Sequence, residues 1–95
     1  TPQQVLETIG AYFDIPVAEL TGQRRDARVA GPRQLAMFLM RNDAGLTLPA
    51  IGRVLGDRDH TTVLYGCKKT ERRLRLDDEI ARDLEALRAR LAEAS

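Results

Sequence analysis

A run of short polar side chains at a predicted helix start is the segment of this sequence best suited to chemistry. Residues 57–63 have the sequence DRDHTTV, and the polar residues fall where a helix is predicted to begin. Asp59 is a strong N-cap candidate, because a carboxylate accepts hydrogen bonds from the unpaired N–H groups of a first helical turn. One or two such residues are enough for capping, whereas this whole turn is polar. The excess of donors and acceptors predicts a helix end that contacts a polar ligand.

The flanking sequence predicts a helix-turn-helix around this segment. Thr47 caps a short helix with Pro49 at its second position, Gly56-Asp57-Arg58 is a tight turn, and a second helix runs from residue 60 to about residue 75. Two helices joined by a short turn with glycine form the motif whose second helix enters the major groove of DNA. Many all-α proteins contain such helix pairs without binding DNA, so the polar first turn carries the prediction.

Each residue of that turn has a task if the helix enters the major groove. Thr61 offers a methyl group to a thymine methyl, His60 donates or accepts at a base edge, and Asp59 accepts from a cytosine amino group. Thr62 and the N-terminus of the helix are predicted to hold a phosphate. The alternative is that Asp59 is only a cap and His60 only a surface residue.

Positive charge is concentrated in the middle of the chain. The net charge is +1, but residues 1–20 carry −3, residues 21–75 carry +7 and residues 76–95 carry −3. A basic middle between acidic ends is typical of a polyanion site, with a solvated surface as the alternative. Arg24 and Arg25, on a polar connector, suit a narrow A·T-rich minor groove, although the residues alone favour a solvated pair.

Further cations and amides are candidates for phosphate contact. Five cations crowd the far half of the second helix of the motif: Lys68, Lys69, Arg72, Arg73 and Arg75. They exceed what is needed to complement the helix dipole, and phosphate contact is predicted for Lys68 or Lys69. Arg33 and Gln34 are further candidates on an upstream helix.

The other segments are also predicted to be helical, with no strand alternation. A first helix follows the Thr1 cap, a short one spans residues 17–20, and a long one runs from 27 to about 42. Gly31-Pro32 predicts that this long helix either starts near residue 30 or bends there. Asp77 caps a last helix whose leucine stripe packs on the core or faces a neighbour. The fold class is therefore all-α, a compact helical bundle forming a single domain over residues 1–95.

Composition narrows the function classes. The one cysteine allows no intrachain disulfide, and no apolar run is long enough to span a membrane, so a soluble cytoplasmic protein is expected. The absence of an initial methionine indicates a piece of a longer protein. One histidine, no metal-ligand cluster and no nucleophile beside a base argue against an enzyme. A helical protein-interaction module remains an alternative, but its binding helix would carry an apolar first turn.

Three blocks of sequence resemble the C-terminal DNA-binding domain, domain IV, of the bacterial chromosomal replication initiator family DnaA. Residues 56–64 (GDRDHTTVL) are similar to the family signature around R-D-H-[ST]-T-V. Residues 29–37 (VAGPRQLAM) resemble its A-R-x-I-A-M helix, and residues 48–52 (LPAIG) its L-P-x-I-G helix. The chain departs from the family at Gly31, where many members have arginine, and in the loop over residues 42–45.

The resemblance implies a Trp-repressor-like helix-turn-helix that binds the DnaA box, a nine-base-pair element of the replication origin. It implies base contacts by Asp59, His60 and Thr61 in the major groove and by Arg25 in the minor groove. The residues expected at the phosphate backbone, from the resemblance or from their own position, are Arg33, Gln34, Leu48, Pro49, Arg58, Thr62, Lys68 and Lys69.

The resemblance also sets expectations for partners and cofactors. One domain is expected to bind each box as a monomer, while the full-length family oligomerises through other domains. ATP binds the family's ATPase domain; no G-x-x-x-x-G-K-[ST] motif occurs in this chain, and no cofactor is expected in it. A transcriptional regulator using the same helix-turn-helix is the alternative function.

Overall fold

The computed structural model describes residues 1–23 and 25–94, which form helices and no strand. The helices are α1 (Pro2–Phe13), α2 (Val17–Thr21), α3 (Ala27–Asn42), α4 (Leu48–Val54), α5 (His60–Leu76) and α6 (Asp78–Ala94). This confirms the predicted all-α class. Within the described ranges, no helix is both long and apolar enough to cross a lipid bilayer. Arg24, which together with Arg25 suits contact with a narrow minor groove, lies outside the described residues.

The helices begin and end where short polar side chains satisfy free backbone groups. The Thr1 hydroxyl accepts from the Gln4 N–H at 3.2 Å, and the N-terminal ammonium donates to the Gln4 side chain at 2.9 Å. This reciprocal pair is a capping box, as the sequence predicted. The Thr47 hydroxyl likewise accepts from the Ala50 N–H at 3.2 Å and starts α4. The predicted caps at Thr1 and Thr47 are therefore confirmed.

Helix α3 begins earlier than one of the two sequence-based alternatives. The Asp26 carboxylate accepts from the Val29 N–H at 3.2 Å, and this cap starts the helix at Ala27. A start near residue 30 is therefore wrong. Pro32 lies inside the helix, in its second turn. There its missing N–H leaves unmade the intrahelical hydrogen bond to the carbonyl of Arg28.

The core is built around α3, which contributes buried side chains from both of its faces. Its apolar residues Leu39 and Met40 are fully buried, and Met37 is 2% exposed. Both methionines of the chain, Met37 and Met40, therefore fill the core. From the other helices the core receives Ile9, Leu20, Ile51, Val63, Cys67 and Leu87, all fully buried. Burial of this kind contributes about 1.5–3 kcal/mol for each large aliphatic side chain.

Helix α6 packs on the core, which decides between the two possibilities that its leucine stripe left open. Leu84 and Leu87 are buried against the other helices. The Tyr12 hydroxyl donates to Asp83 at 2.8 Å, which joins α1 to α6. The Arg88 guanidinium forms a bidentate salt bridge with the Asp43 carboxylate, in which its Nε and Nη2 donate to the two oxygens at 2.8 and 2.9 Å. Polar contacts thus hold both halves of α6.

Candidate nucleic-acid interface

The turn between α4 and α5 requires glycine at two places. Gly56 has φ of 76° and Asp57 has φ of 59°, so two successive residues adopt the left-handed conformation that reverses the chain. The Arg58 N–H donates to the Gly52 carbonyl at 2.9 Å. A Cβ atom on Gly52 would overlap the Arg58 carbonyl oxygen, so the turn closes against bare helix backbone. This close approach fixes α5 relative to α4 and confirms the predicted tight turn.

The first turn of α5 presents polar side chains to solvent. The Asp59 carboxylate accepts from the Thr61 N–H at 3.2 Å and lies 3.1 Å from His60 Nδ1. Thr61 and Thr62 follow, and both are exposed. Hydrogen bonding from the Thr61 N–H lowers the pKa of Asp59, so this carboxylate is ionised at neutral pH. Asp59 is thus the cap of α5 that the sequence predicts, and its carboxylate is exposed.

The connector before α3 lies close to this helix end. A cavity of about 300 Å³ has Arg25 and Arg58 in its wall together with Gln34, Thr62 and Tyr65. Arg25 is exposed. Burial lowers the pKa of Arg58, and the nearby positive charge of Arg25 lowers it further. The structure therefore brings together Arg25 and the start of α5, which lie far apart in the sequence. Residue spacing in the sequence does not predict that Arg25 and the first turn of α5 lie side by side.

Two arginines predicted to contact phosphate have a structural task. Arg33 is 6% exposed, and its guanidinium donates to the carbonyl of Leu20 at 2.7 Å and to that of Glu19 at 2.8 Å. Arg58 donates to the carbonyls of Leu55 at 2.6 Å and Gly22 at 2.7 Å.

These bonds satisfy carbonyls at the ends of α2 and α4, so both arginines tie the connector before α3 to the fold. Phosphate contact by Arg33 and Arg58 stays a prediction. The available signal in the sequence was the shortness of α2, whose last carbonyls need donors from elsewhere in the chain.

The remaining predicted contact residues are spread over several elements. Leu48 and Pro49 form the first turn of α4, where Leu48 is half-buried and Pro49 exposed. Lys68 is exposed on α5, while Lys69 is half-buried with its Nζ 5.9 Å from the centre of the Tyr65 ring. None of these four predicted residues lines the cavity beside Arg25. Their contacts with a ligand remain predictions.

Gly66 shows where α5 packs on α3. A glycine in the middle of a helix costs stability, which predicts that another backbone approaches it closely. For Gly66 this prediction is wrong. A Cβ atom there would overlap the Met37 sulfur and come within 3.2 Å of Gln34 Cγ, so side chains of α3 fill the space. The absence of a side chain at residue 66 lets α5 lie close to α3.

The fold and this site define a helix-turn-helix domain of the kind that presents a helix end to a polar ligand. The chain belongs to the bacterial dnaA protein helix-turn-helix family, whose model matches residues 2–70. This confirms the family resemblance of the sequence motifs.

The chain is similar in sequence to proteins from several bacteria, each of which is named chromosomal replication initiator protein DnaA. The protein from Thermomicrobium roseum is 47% identical over 93 residues, covering 98% of this chain and 20% of its own length. That from Jannaschia sp. is 40% identical over 91 residues, covering 96% of the chain and 19% of the relative. That from Lactococcus lactis subsp. cremoris is 35% identical over 88 residues, covering 93% and 19%. The chain thus spans about a fifth of the length of these relatives.

Proposed function

We propose that this chain is the DNA-binding domain of a bacterial chromosomal replication initiator and that it binds DnaA boxes in double-stranded DNA. The observation that carries this proposal is the exposed polar first turn of α5 within a helix-turn-helix of this family. In such motifs the N-terminal residues of the second helix contact base edges in the major groove. The side chains at that end are therefore the proposed means of sequence recognition.

In this proposal, Asp59, His60 and Thr61 contact bases, and Arg25 enters the adjacent minor groove. Arg25 suits this task because its side chain is exposed on a connector outside any helix. A guanidinium is also attracted by the strongly negative potential of a narrow A·T-rich minor groove. Thr62, Gln34, Leu48, Pro49, Lys68 and Lys69 are proposed to contact the backbone. Arg33 and Arg58 support the connector that carries Arg25, and contact of these two arginines with phosphate is also part of the proposal.

The proposed activity is binding without covalent chemistry. ATP hydrolysis and oligomerisation are proposed to belong to the parts of the initiator outside this chain. The domain formed by this chain is proposed to bind each box as a monomer. A cytoplasmic, nucleoid-associated location follows from the proposed DNA target.

Removal of the base-contact groups tests this function. We expect Thr61→Ala and His60→Ala each to weaken binding to a DnaA box by about 1–3 kcal/mol, because the lost contacts are specific to bases. Binding to a scrambled duplex should stay nearly constant, since both side chains are exposed and carry no core packing. Fluorescence anisotropy titrations on the two duplexes measure both quantities. Equal losses on the two duplexes would contradict base recognition by these residues.

Charge removal tests the phosphate contacts. Lys69→Ala is expected to weaken binding to all duplexes and to make the slope of log K against log salt shallower by about one, because one fewer counterion is released. Arg82→Ala is the matched control, since it removes one exposed cation from α6 and should leave the slope unchanged. Titrations at several salt concentrations give the slopes. Indistinguishable slopes for the two variants would exclude Lys69 from the phosphate contacts.

A further inference from the structure

Tyr65 has a position on α5 that the packing of the helix does not explain. The buried face of this helix consists of Val63, Gly66, Cys67 and Thr70. Tyr65 stands outside that face with 56% of its surface exposed. An exposed tyrosine presents an apolar ring together with a hydroxyl group, and tyrosines of this kind are enriched where a protein contacts a partner.

The Tyr65 ring is held in place from its own helix. Lys69 lies four residues further along α5, and its Nζ is 5.9 Å from the ring centre. Residues spaced four apart are neighbours on one helix face, and an ammonium group over an aromatic ring is attracted by the negative charge of the ring face. The exposed ring and the half-buried lysine therefore pair on one face of α5, and the ring lies one turn beyond Thr61.

The same ring lines the cavity of about 300 Å³ between α5 and the connector before α3. Thr62 and Tyr65 form the α5 side of this cavity, while Arg25 and Arg58 belong to the other side. The two arginines make the cavity cationic, and the two hydroxyl side chains supply neutral donors. This is the chemistry that holds a phosphodiester group.

The proposed docking, on which this step rests, determines what crosses the cavity. If the first turn of α5 lies in the major groove and Arg25 in the adjacent minor groove, one sugar-phosphate strand runs between them. That strand must pass over the cavity that separates the two elements. Tyr65 then faces it from the side of the major groove.

We propose that Tyr65 is a further DNA-contact residue, whose hydroxyl donates a hydrogen bond to a phosphate oxygen of this strand while its ring packs against the adjoining sugar. A phosphate carries no sequence information, so this contact positions α5 along the groove and does not select bases. Its loss weakens binding to every duplex by the same factor.

The test removes a single oxygen atom. Tyr65→Phe is expected to weaken binding by about five- to tenfold on both a DnaA box and a scrambled duplex, as for the loss of one typical hydrogen bond. Tyr12→Phe is the matched control, since it removes the same atom from the tyrosine that donates to Asp83. This control should lower thermal stability and leave DNA affinity unchanged. Thermal unfolding of Tyr65→Phe should match the parent protein, because its ring is exposed.

Duplexes that carry a single neutral methylphosphonate locate the contact. At the contacted phosphate, the parent protein is expected to lose more affinity than Tyr65→Phe does, whereas at other phosphates the two proteins lose the same. Equal affinity of Tyr65→Phe and the parent for all duplexes would overturn the inference and leave the proposed function intact. If the parent bound box and scrambled DNA equally, base recognition would fail, while a weakening by Tyr65→Phe on both would still support the phosphate contact.

Discussion

Gly52→Ala is expected to lower the free energy of unfolding by about 3 kcal/mol, at the upper end of what overpacking costs. The new Cβ atom would overlap the backbone oxygen of Arg58, which cannot rotate away as a side chain would. Relief requires α4 to move from the turn before α5. Because α5 is the proposed recognition helix, DNA affinity should fall together with stability.

Gly31→Ala is the matched control for this prediction. Gly31 is also a helical glycine, but a Cβ atom there meets only the end of the Arg73 side chain, at 3.2 Å. Alanine should therefore stabilise α3 by about 0.5–1 kcal/mol through its better helix propensity. Urea unfolding followed by circular dichroism at both positions measures the two effects. Stabilisation by alanine at residue 52 would contradict the close approach of the turn.

Arg58→Met is expected to lower the free energy of unfolding by about 2 kcal/mol, because it leaves the Leu55 carbonyl without its side-chain donor. It also removes the shorter of two bonds to the Gly22 carbonyl, which keeps only a 3.4 Å bond from Arg33. The guanidinium of Arg58 joins Leu55, at the end of α4, to Gly22, at the end of α2. Methionine keeps the length of the aliphatic chain and removes only these bonds and the charge. Urea unfolding measures the loss.

DNA titrations on Arg58→Met separate the two tasks considered for this residue. A positioning residue should weaken binding without changing the salt slope, whereas a phosphate ligand should reduce the slope by about one. Arg53→Met is the matched control, since Arg53 is an exposed cation near the end of α4, just before the turn that contains Arg58. A stability loss no greater for Arg58→Met than for Arg53→Met would contradict the structural task.

Much of the site could be predicted because its determinants are local in sequence. Caps at Thr1, Thr47 and Asp59 and the turn at Gly56 depend on residues within a few positions of one another. A side chain that satisfies the N–H two or three residues ahead leaves a fixed spacing that can be recognised directly. The polar first turn of α5 and the family motifs around it were visible for the same reason.

The prediction failed where distant segments meet. The approach to Gly66 was assigned to a backbone, whereas side chains of α3 fill that space. Neither the partner across a packed interface nor its distance is encoded in local spacing.

The helices, their caps and the polar turn of residues 59–62 thus follow from local sequence, since each depends on neighbours along the chain. The folded chain is needed to show that α6 packs on the core, that Arg33 and Arg58 donate to carbonyls, and that Arg25 shares a cavity with α5. These features depend on long-range packing, which determines which unpaired helix-end carbonyls lie within hydrogen-bonding distance of each arginine. The charge of an arginine is visible in the sequence, but its partner is chosen by the fold.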